Sequence, residues 1–397
     1  MTRRNDTFGP QTTAIHAGEG PDATTGASAP AIHMSSTFVT DAPAGFSAHD
    51  LGPESPYLYA RWANPTVDML ERKLAALEGC EACLCTASGM AAASAIFLTF
   101  LSAGDHAVVS DVSYAGVAEL ARDTLPRMGI EVSLVDMSDL DALAAAIRPN
   151  TRLVHTETPV NPIGRLTDLA AVARIAHEAD ALLSCDSTFA SPLGQRAADL
   201  GVDLIMHSVT KYVGGHGDAV GGAIASRADL IKRMRLEASI HHGGIMSPFN
   251  AWLIARGAAT LPLRMRAHED GALKVASWLE GQPTVTRVIH PGLASHPGHA
   301  LARSQQAGFG AMLSFELKGG TEAIGRFARH LQVFTLAESL GGIESLVAHP
   351  ATMTHAGMGV EARRKAGIDD SLLRVSVGLE AEADLLADLD GALAATG

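Results

Sequence analysis

The stretch LIMHSVTKYVGGHGD, residues 204–218, runs from an apolar segment through a lysine into a glycine-rich turn. A short apolar run bounded by turn residues reads as a buried strand, here Leu204 to Ser208, so Lys211 sits just past its carboxyl end. Read alone, a lysine there is a solvated charge. Ser208 and Thr210, however, flank it with hydroxyls suited to an anion, and Gly214, Gly215 and Gly217 let a ligand approach the backbone closely. Together these residues favour a phosphorylated ligand.

Working outward, similar short apolar runs alternate with helical segments: Ala82 to Thr86, Ala107 to Ser110, Val132 to Val135, Leu153 to Glu157, Leu182 to Asp186 and Gly222 to Ala225. This alternation predicts an α/β fold with a mostly parallel sheet covered by helices on both faces. In such sheets ligands bind beyond the carboxyl ends of the strands. Upstream, Met69, Leu70, Leu74 and Leu77 form one helical stripe after Asn64 and Pro65, with Gly79 as the stop. Downstream, one long helix is expected over 248–267, leading to a second domain with strands at Thr284 to Ile289, Ala311 to Leu317 and Leu373 to Ser376. The first 60 residues lack sustained periodicity apart from a short strand expected at Ser36 to Val39. An arm of that length is usually functional or leans on a partner.

The whole chain sets outer bounds. Its 397 residues exceed what one core usually serves, about 250 to 300, so two packed domains are expected. A composition 47% hydrophobic and 18% charged describes a globular protein, and a formal net charge of −13 gives no basic field for nucleic acid or anionic lipid. The apolar stretch from Met90 to Leu101 is too short to span a bilayer, and no apolar segment follows the basic residues near the start, so a cytoplasmic location is expected. Cys80, Cys83 and Cys85 are crowded together, and with Cys185 they read as buried apolar cysteines; no metal site is expected.

Two further strand ends complete a constellation. Ser88, Gly89 and Met90 lie between a strand and a helix, where free backbone N–H groups and the helix dipole suit a phosphate, although an ordinary N-cap would look the same. Asp186 closes the run 182–186, where a helix cap or turn is the plain alternative. Pyridoxal phosphate (PLP) asks for an amine for its Schiff base, a carboxylate for its pyridinium nitrogen and a cradle for its phosphate. Lys211, Asp186 and the 88–90 turn offer all three.

At this point the sequence resembles the transsulfuration (Cys/Met metabolism) family of PLP enzymes, which includes methionine γ-lyase, cystathionine γ-lyase, cystathionine γ-synthase and the acylhomoserine sulfhydrylases. The resemblance covers nearly the whole chain. It is carried by YARWANPT (59–66), ASGMAA (87–92), ETPVNP (157–162), SVTKY (208–212), SPF (247–249), LAESLGG (336–342) and RVSVGLE (374–380). It implies fold type I, the aspartate-aminotransferase-like fold, with a smaller C-terminal α+β domain. It also implies a homotetramer of two intimate dimers. The expected division is an arm over 1–60 reaching the neighbouring subunit's site, a PLP-binding domain over 61–256 and a C-terminal domain over 257–397.

Carried across position by position, the resemblance implies that Tyr59 and Arg61 reach a partner's cofactor phosphate while Gly89, Met90, Ser208 and Thr210 bind the phosphate in their own subunit. Tyr114 is expected to stack on the ring and act as acid, Asn161 to bond the ring oxygen, and Arg374 with Ser339 to grip the substrate α-carboxylate. Lys211 would be both tether and base, and Asp186 would keep the ring nitrogen protonated. Outside that context Arg61 is a surface charge, Tyr114 a loop aromatic and Asn161 part of a turn.

Departures from the relatives bear on substrate. Gly116 stands where methionine γ-lyases carry a cysteine, and Glu119 stands where cystathionine-using members often carry an arginine. Glu119, with Glu338 as a second negative charge, disfavours a distal carboxylate on the substrate; a solvated helix residue is the plain alternative for Glu119. The expectation is a γ-lyase for methionine-like or cationic γ-oxy amino acids such as canavanine. His241 and His242 depart from the lyase pattern and are candidates to contact substrate. The segment 247–252 looks more like the sulfhydrylases, so γ-replacement stays open, as do cystathionine γ-lyase and γ-synthase. A PLP-binding regulator without turnover is the reading from another class.

Overall fold

The computed structural model describes residues 8–41, 47–50, 52 and 55–396. Seven strands form the first sheet: β1 (Ala82–Thr86), β2 (His106–Ser110), β3 (Glu131–Val135), β4 (Thr151–Glu157), β5 (Leu182–Asp186), β6 (Leu204–His207) and β7 (Gly222–Ser226). They lie in the order β1-β7-β6-β5-β4-β2-β3, and β7 alone runs against its two neighbours. The expected mostly parallel sheet is present. β2, β6 and β7 are buried along their whole length, which is why they read as unbroken apolar runs. One face packs Leu84, Val109 and Leu153 against Ile96 and Phe97; the other packs Val108, Val154, Leu183 and Ile205 against Leu169 and Val172.

This order matters for chemistry because β4, β5 and β6 are side by side. Glu157 pairs with Asp186, and Asp186 pairs with Met206, so three carboxyl ends open at one place. A five-stranded second sheet, order β10-β11-β12-β9-β8, comprises β8 (Val285–Ile289), β9 (Met312–Leu317), β10 (Thr335–Leu336), β11 (Leu346–Ala348) and β12 (Leu372–Ser376). Within it Arg374 pairs with Ser314, whose Oγ donates to the Pro162 carbonyl at 2.7 Å and so joins the second sheet to the loop after β4.

The expected helix after Asn64 is Pro65–Glu78, capped by the Asn64 side chain at one end and by left-handed Gly79 at the other. Two expectations fail. Ser36 to Val39 is not a strand but a single bridge between Thr37 and Tyr59, and a helix forms instead at Pro10–His16. The fully buried Lys73 anchors that helix, donating to the Ile15 carbonyl at 3.3 Å and pairing with Glu19 at 2.9 Å. The segment 248–267 is two helices, Pro248–Ala258 and Leu261–Glu280.

Arg264 accounts for that break. Its buried guanidinium donates to the Gly257 carbonyl (2.8 Å), which ends the first helix, and to the carbonyls of Tyr212 (2.7 Å) and Val213 (3.2 Å), just after Lys211. Its Nε bonds Thr260 Oγ1 at 3.0 Å, so one side chain fixes both the helix junction and the lysine loop. Gly215 is required beside it: its φ is +71°, and a Cβ there would lie 2.1 Å from Arg264 Nη1. Gly215→Ala should therefore cost about 2 kcal/mol or more and lower the thermal unfolding midpoint, an outcome read directly by calorimetry of purified protein.

Candidate active site

Lys211 leaves β6 and turns inward. Its Nζ donates to Ser339 Oγ at 2.8 Å, and burial, reinforced by the nearby Arg374 charge, lowers its pKa to about 8; Glu338 opposes that shift. Ser339 holds a left-handed φ of +95°, a strained value for a residue with a Cβ, in the loop that carries it toward the lysine. Arg374, 3% exposed on β12, donates from Nη2 to the Ser339 carbonyl at 2.7 Å and from Nη1 to Asn161 Oδ1 at 3.1 Å. Its Nε is buried with no acceptor among the described residues. Burial lowers this guanidinium to about 10, which leaves it charged at neutral pH.

Asp186 ends β5. Its Oδ1 accepts from Thr188 N at 3.0 Å and Thr188 Oγ1 at 2.5 Å, while burial raises its pKa and the Thr188 bonds and the His207 charge oppose the rise. Thr188 also receives the Ser208 N–H on its Oγ1 at 2.8 Å, linking the ends of β5 and β6. Behind them His207 and Glu78 form a buried hydrogen-bonded pair.

The helix Gly89–Phe100 begins beside this cluster. Ser88 is its N-cap, accepting from Ala91 N at 3.1 Å, which spends the Ser88 hydroxyl on the helix itself. The N–H groups of Gly89 and Met90 on the first turn have no intrahelical partner by geometry. A Cβ at Gly89 would lie 2.9 Å from Ser208 Cβ, so the helix start and the end of β6 touch only because residue 89 is glycine. Thr210 Oγ1 donates to the Gly221 carbonyl (3.1 Å) and accepts from Gly221 N (3.0 Å), closing the loop from the other side. These groups fit pyridoxal phosphate: a buried amine of lowered pKa, a buried carboxylate with Oδ2 uncommitted, and orphaned N–H groups on one helix start.

Such a set of ordered motifs belongs to a defined family. The sequence model for "Cys/Met metabolism PLP-dependent enzyme" matches residues 11–394. The chain belongs to this family. Its cofactor is pyridoxal phosphate and its fold is fold type I. Among its relatives, an O-succinylhomoserine sulfhydrylase from Pseudomonas aeruginosa is 43% identical, with 92% of this chain and 90% of that protein covered. A canavanine gamma-lyase from Pseudomonas canavaninivorans is 42% identical over 96% of this chain and 95% of its own length. The crystal structure of cystathionine gamma synthase from Xanthomonas oryzae pv. oryzae in complex with aminoacrylate and cysteine superposes with a TM-score of 0.93, at 44% identity and 98% coverage of both chains.

The remaining predicted site residues are held in different ways. Tyr114 is half-exposed, and its backbone N donates to Glu157 Oε2 at 2.7 Å. Tyr59 and Arg61 pair with each other, the guanidinium 5.4 Å from the ring centre, and Arg61 bonds the Ile240 carbonyl rather than any group beside Lys211. Glu119 is exposed, with its Oε1 2.8 Å from where a Cβ at Gly357 would lie. Glu338 is exposed as well, yet close enough to act on the charges of Lys211 and Arg374. His241 is paired with Glu237 at 3.0 Å. Gly116 lets Met90 and Tyr114 close over it: a Cβ there would lie 2.8 Å from Met90 Sδ and 3.0 Å from Tyr114 Cε1.

Sequence reading missed His355, Thr188 and Arg264. His355 is 1% exposed, bonds Thr354 Oγ1 at 2.9 Å, and is driven to about 4 by burial and by Arg374, so its ring is neutral beside the guanidinium. Only His355 had a local signal, a histidine in an otherwise apolar and hydroxyl-rich turn.

An amine attacks an aldehyde only when neutral, and Lys211 is neutral above its pKa. Cofactor uptake by cofactor-free protein should therefore speed up about tenfold per pH unit and level off near pH 8, well below the 10.5 of an ordinary lysine. Visible absorbance during reconstitution follows this, and Lys211→Ala should remove the band altogether.

Proposed function

We propose that this chain is a γ-lyase acting on an amino acid with a neutral or cationic γ-substituent, methionine-like or a γ-oxy guanidino compound such as canavanine. Family membership supports PLP-dependent γ-elimination or γ-replacement in general; the finer reading rests on this chain's own residues. The observation that carries amino-acid binding is the buried, uncommitted Nε of Arg374 next to Ser339 and the Lys211 amine; the choice of γ-substituent rests on Glu119 and Glu338. A substrate α-carboxylate would complete that guanidinium's hydrogen bonds, since a buried donor left unpaired is costly.

When bound, the cofactor serves as a sink for the electron pair released at Cα. The chain's residues do the rest. Gly89, Met90, Ser208 and Thr210 would hold the phosphate, Asp186 would keep a proton on the ring nitrogen, and Asn161 would bond the ring oxygen. Arg374 and Ser339 would fix the carboxylate so that the α-proton faces Lys211, which accepts it as a neutral amine. Tyr114 would deliver a proton to the departing γ-group. Tyr59 and Arg61 would serve a neighbouring subunit, in a homotetramer working in the cytoplasm. A binder without turnover would have no use for a carboxylate grip and a proton donor together.

Substrate choice is assigned to Glu119 and Glu338: Glu338 acts on the charges of Lys211 and Arg374, and Glu119 ends the short helix that follows Tyr114, so both would oppose a distal carboxylate. γ-Replacement is the second reading, favoured by the likeness of the segment 247–252 to the sulfhydrylases; relatives of both kinds are 43% identical. A panel of methionine, canavanine, cystathionine and O-succinylhomoserine, the last with and without sulfide, separates the readings by keto acid, ammonia and homoserine released. Methionine or canavanine should lead. Glu119→Arg should raise the preference for cystathionine by about tenfold, worth roughly 1.4 kcal/mol; cystathionine as the best wild-type substrate would sink the charge argument.

A further inference from the structure

Glu157 ends β4 and is 5% exposed, and among the described residues no lysine or arginine pairs with it. Its neighbour in register is Asp186, another buried carboxylate, so two like charges lie side by side on adjacent strand ends. Burial and then Asp186 push its pKa up, and the two backbone N–H groups it accepts, those of Asn161 and Tyr114, oppose that rise and favour the ionised form. A carboxyl in that position is costly, and an apolar residue would fill the volume without the cost.

What only a carboxylate supplies there is two acceptors facing two donors. Oε2 takes the backbone N–H of Tyr114 and Oε1 that of Asn161, each at 2.7 Å. The same Asn161 presents Oδ1 to Arg374, and Arg374 holds the Ser339 carbonyl, whose side chain receives Lys211. The hydrogen-bonded path is therefore continuous from the Tyr114 backbone to the Lys211 amine.

We infer that Glu157 is a positioning residue that fixes Tyr114, the proposed acid, relative to Asn161 and Arg374, the proposed carboxylate grip, by accepting one backbone N–H on each oxygen. The inference rests on the roles proposed above for those three residues. It assigns Glu157 no contact with substrate.

Glu157→Gln keeps the volume but turns one acceptor into a donor facing an N–H. In cofactor-loaded enzyme it should raise KM and lower kcat, reducing kcat/KM at least tenfold, and change the induced circular dichroism of the cofactor band. Combined with Tyr114→Phe, its effect on kcat should be less than additive. A variant with wild-type kcat, KM and dichroism but a lower unfolding midpoint would make Glu157 merely structural and overturn the inference. Should Glu157→Gln not fold, hydrogen exchange of wild-type holoenzyme decides. The Tyr114 and Asn161 amides should open with equal protection, and a difference beyond tenfold would overturn the shared anchor. If Tyr114→Phe alone leaves kcat unchanged, the assignment of the acid fails, while the exchange result still tests the anchor independently.

Discussion

A buried guanidinium governs how the two halves of this molecule meet. Arg374 sits on β12, within the second sheet, with 3% of its surface exposed, and a positive charge so placed must be surrounded by acceptors. Its acceptors come from elsewhere: Asn161 from the loop after β4, and the Ser339 carbonyl from the loop after β10. Its cross-strand neighbour Ser314 reaches the same loop through Pro162. The second sheet is thus registered on the first through polar contacts that converge on residues 161 and 162. Shifting either sheet would leave the guanidinium unpaired, so the rest of the centre depends on that meeting.

Much of the fold was legible in sequence because the central strands are buried on both faces, and such strands appear as uninterrupted apolar runs between turn residues. Val132 to Val135 was recognisable despite lying at the sheet edge, since it too is a short, mostly apolar run between turn residues. The failures share a cause. The helix over 248–267 breaks where Arg264 draws on the Gly257 carbonyl, and that arginine also satisfies the carbonyls of Tyr212 and Val213, some fifty residues away. The helix Pro10–His16 is too short to show a period, and its stability comes from a lysine more than fifty residues away. Ser36 to Val39 has the composition of a strand but only one bridging partner.

The candidate centre divides along the same line. Lys211, Asp186 and the 88–90 turn could be found from sequence because each follows a strand directly, where the topology of a parallel sheet brings ligand-binding groups together. Thr188, Arg264 and His355 had no such position to advertise them. Thr188 matters because one hydroxyl donates to Asp186 and accepts from Ser208, a dual use that no spacing rule encodes. Arg61 bonds the Ile240 carbonyl and lies over the Tyr59 ring, contacts that no spacing in the arm announces.

β12 follows the amine, the carboxylate and the helix start by more than 150 residues. Synthesis runs in one direction at a finite pace, and earlier segments condense first. The residues proposed for the cofactor's ring and phosphate can therefore be in place on the ribosome while Arg374, proposed for the substrate carboxylate, does not yet exist. On those proposed roles, a nascent chain would be unable to draw on the cell's amino acids, and competence toward them would arrive only with β12.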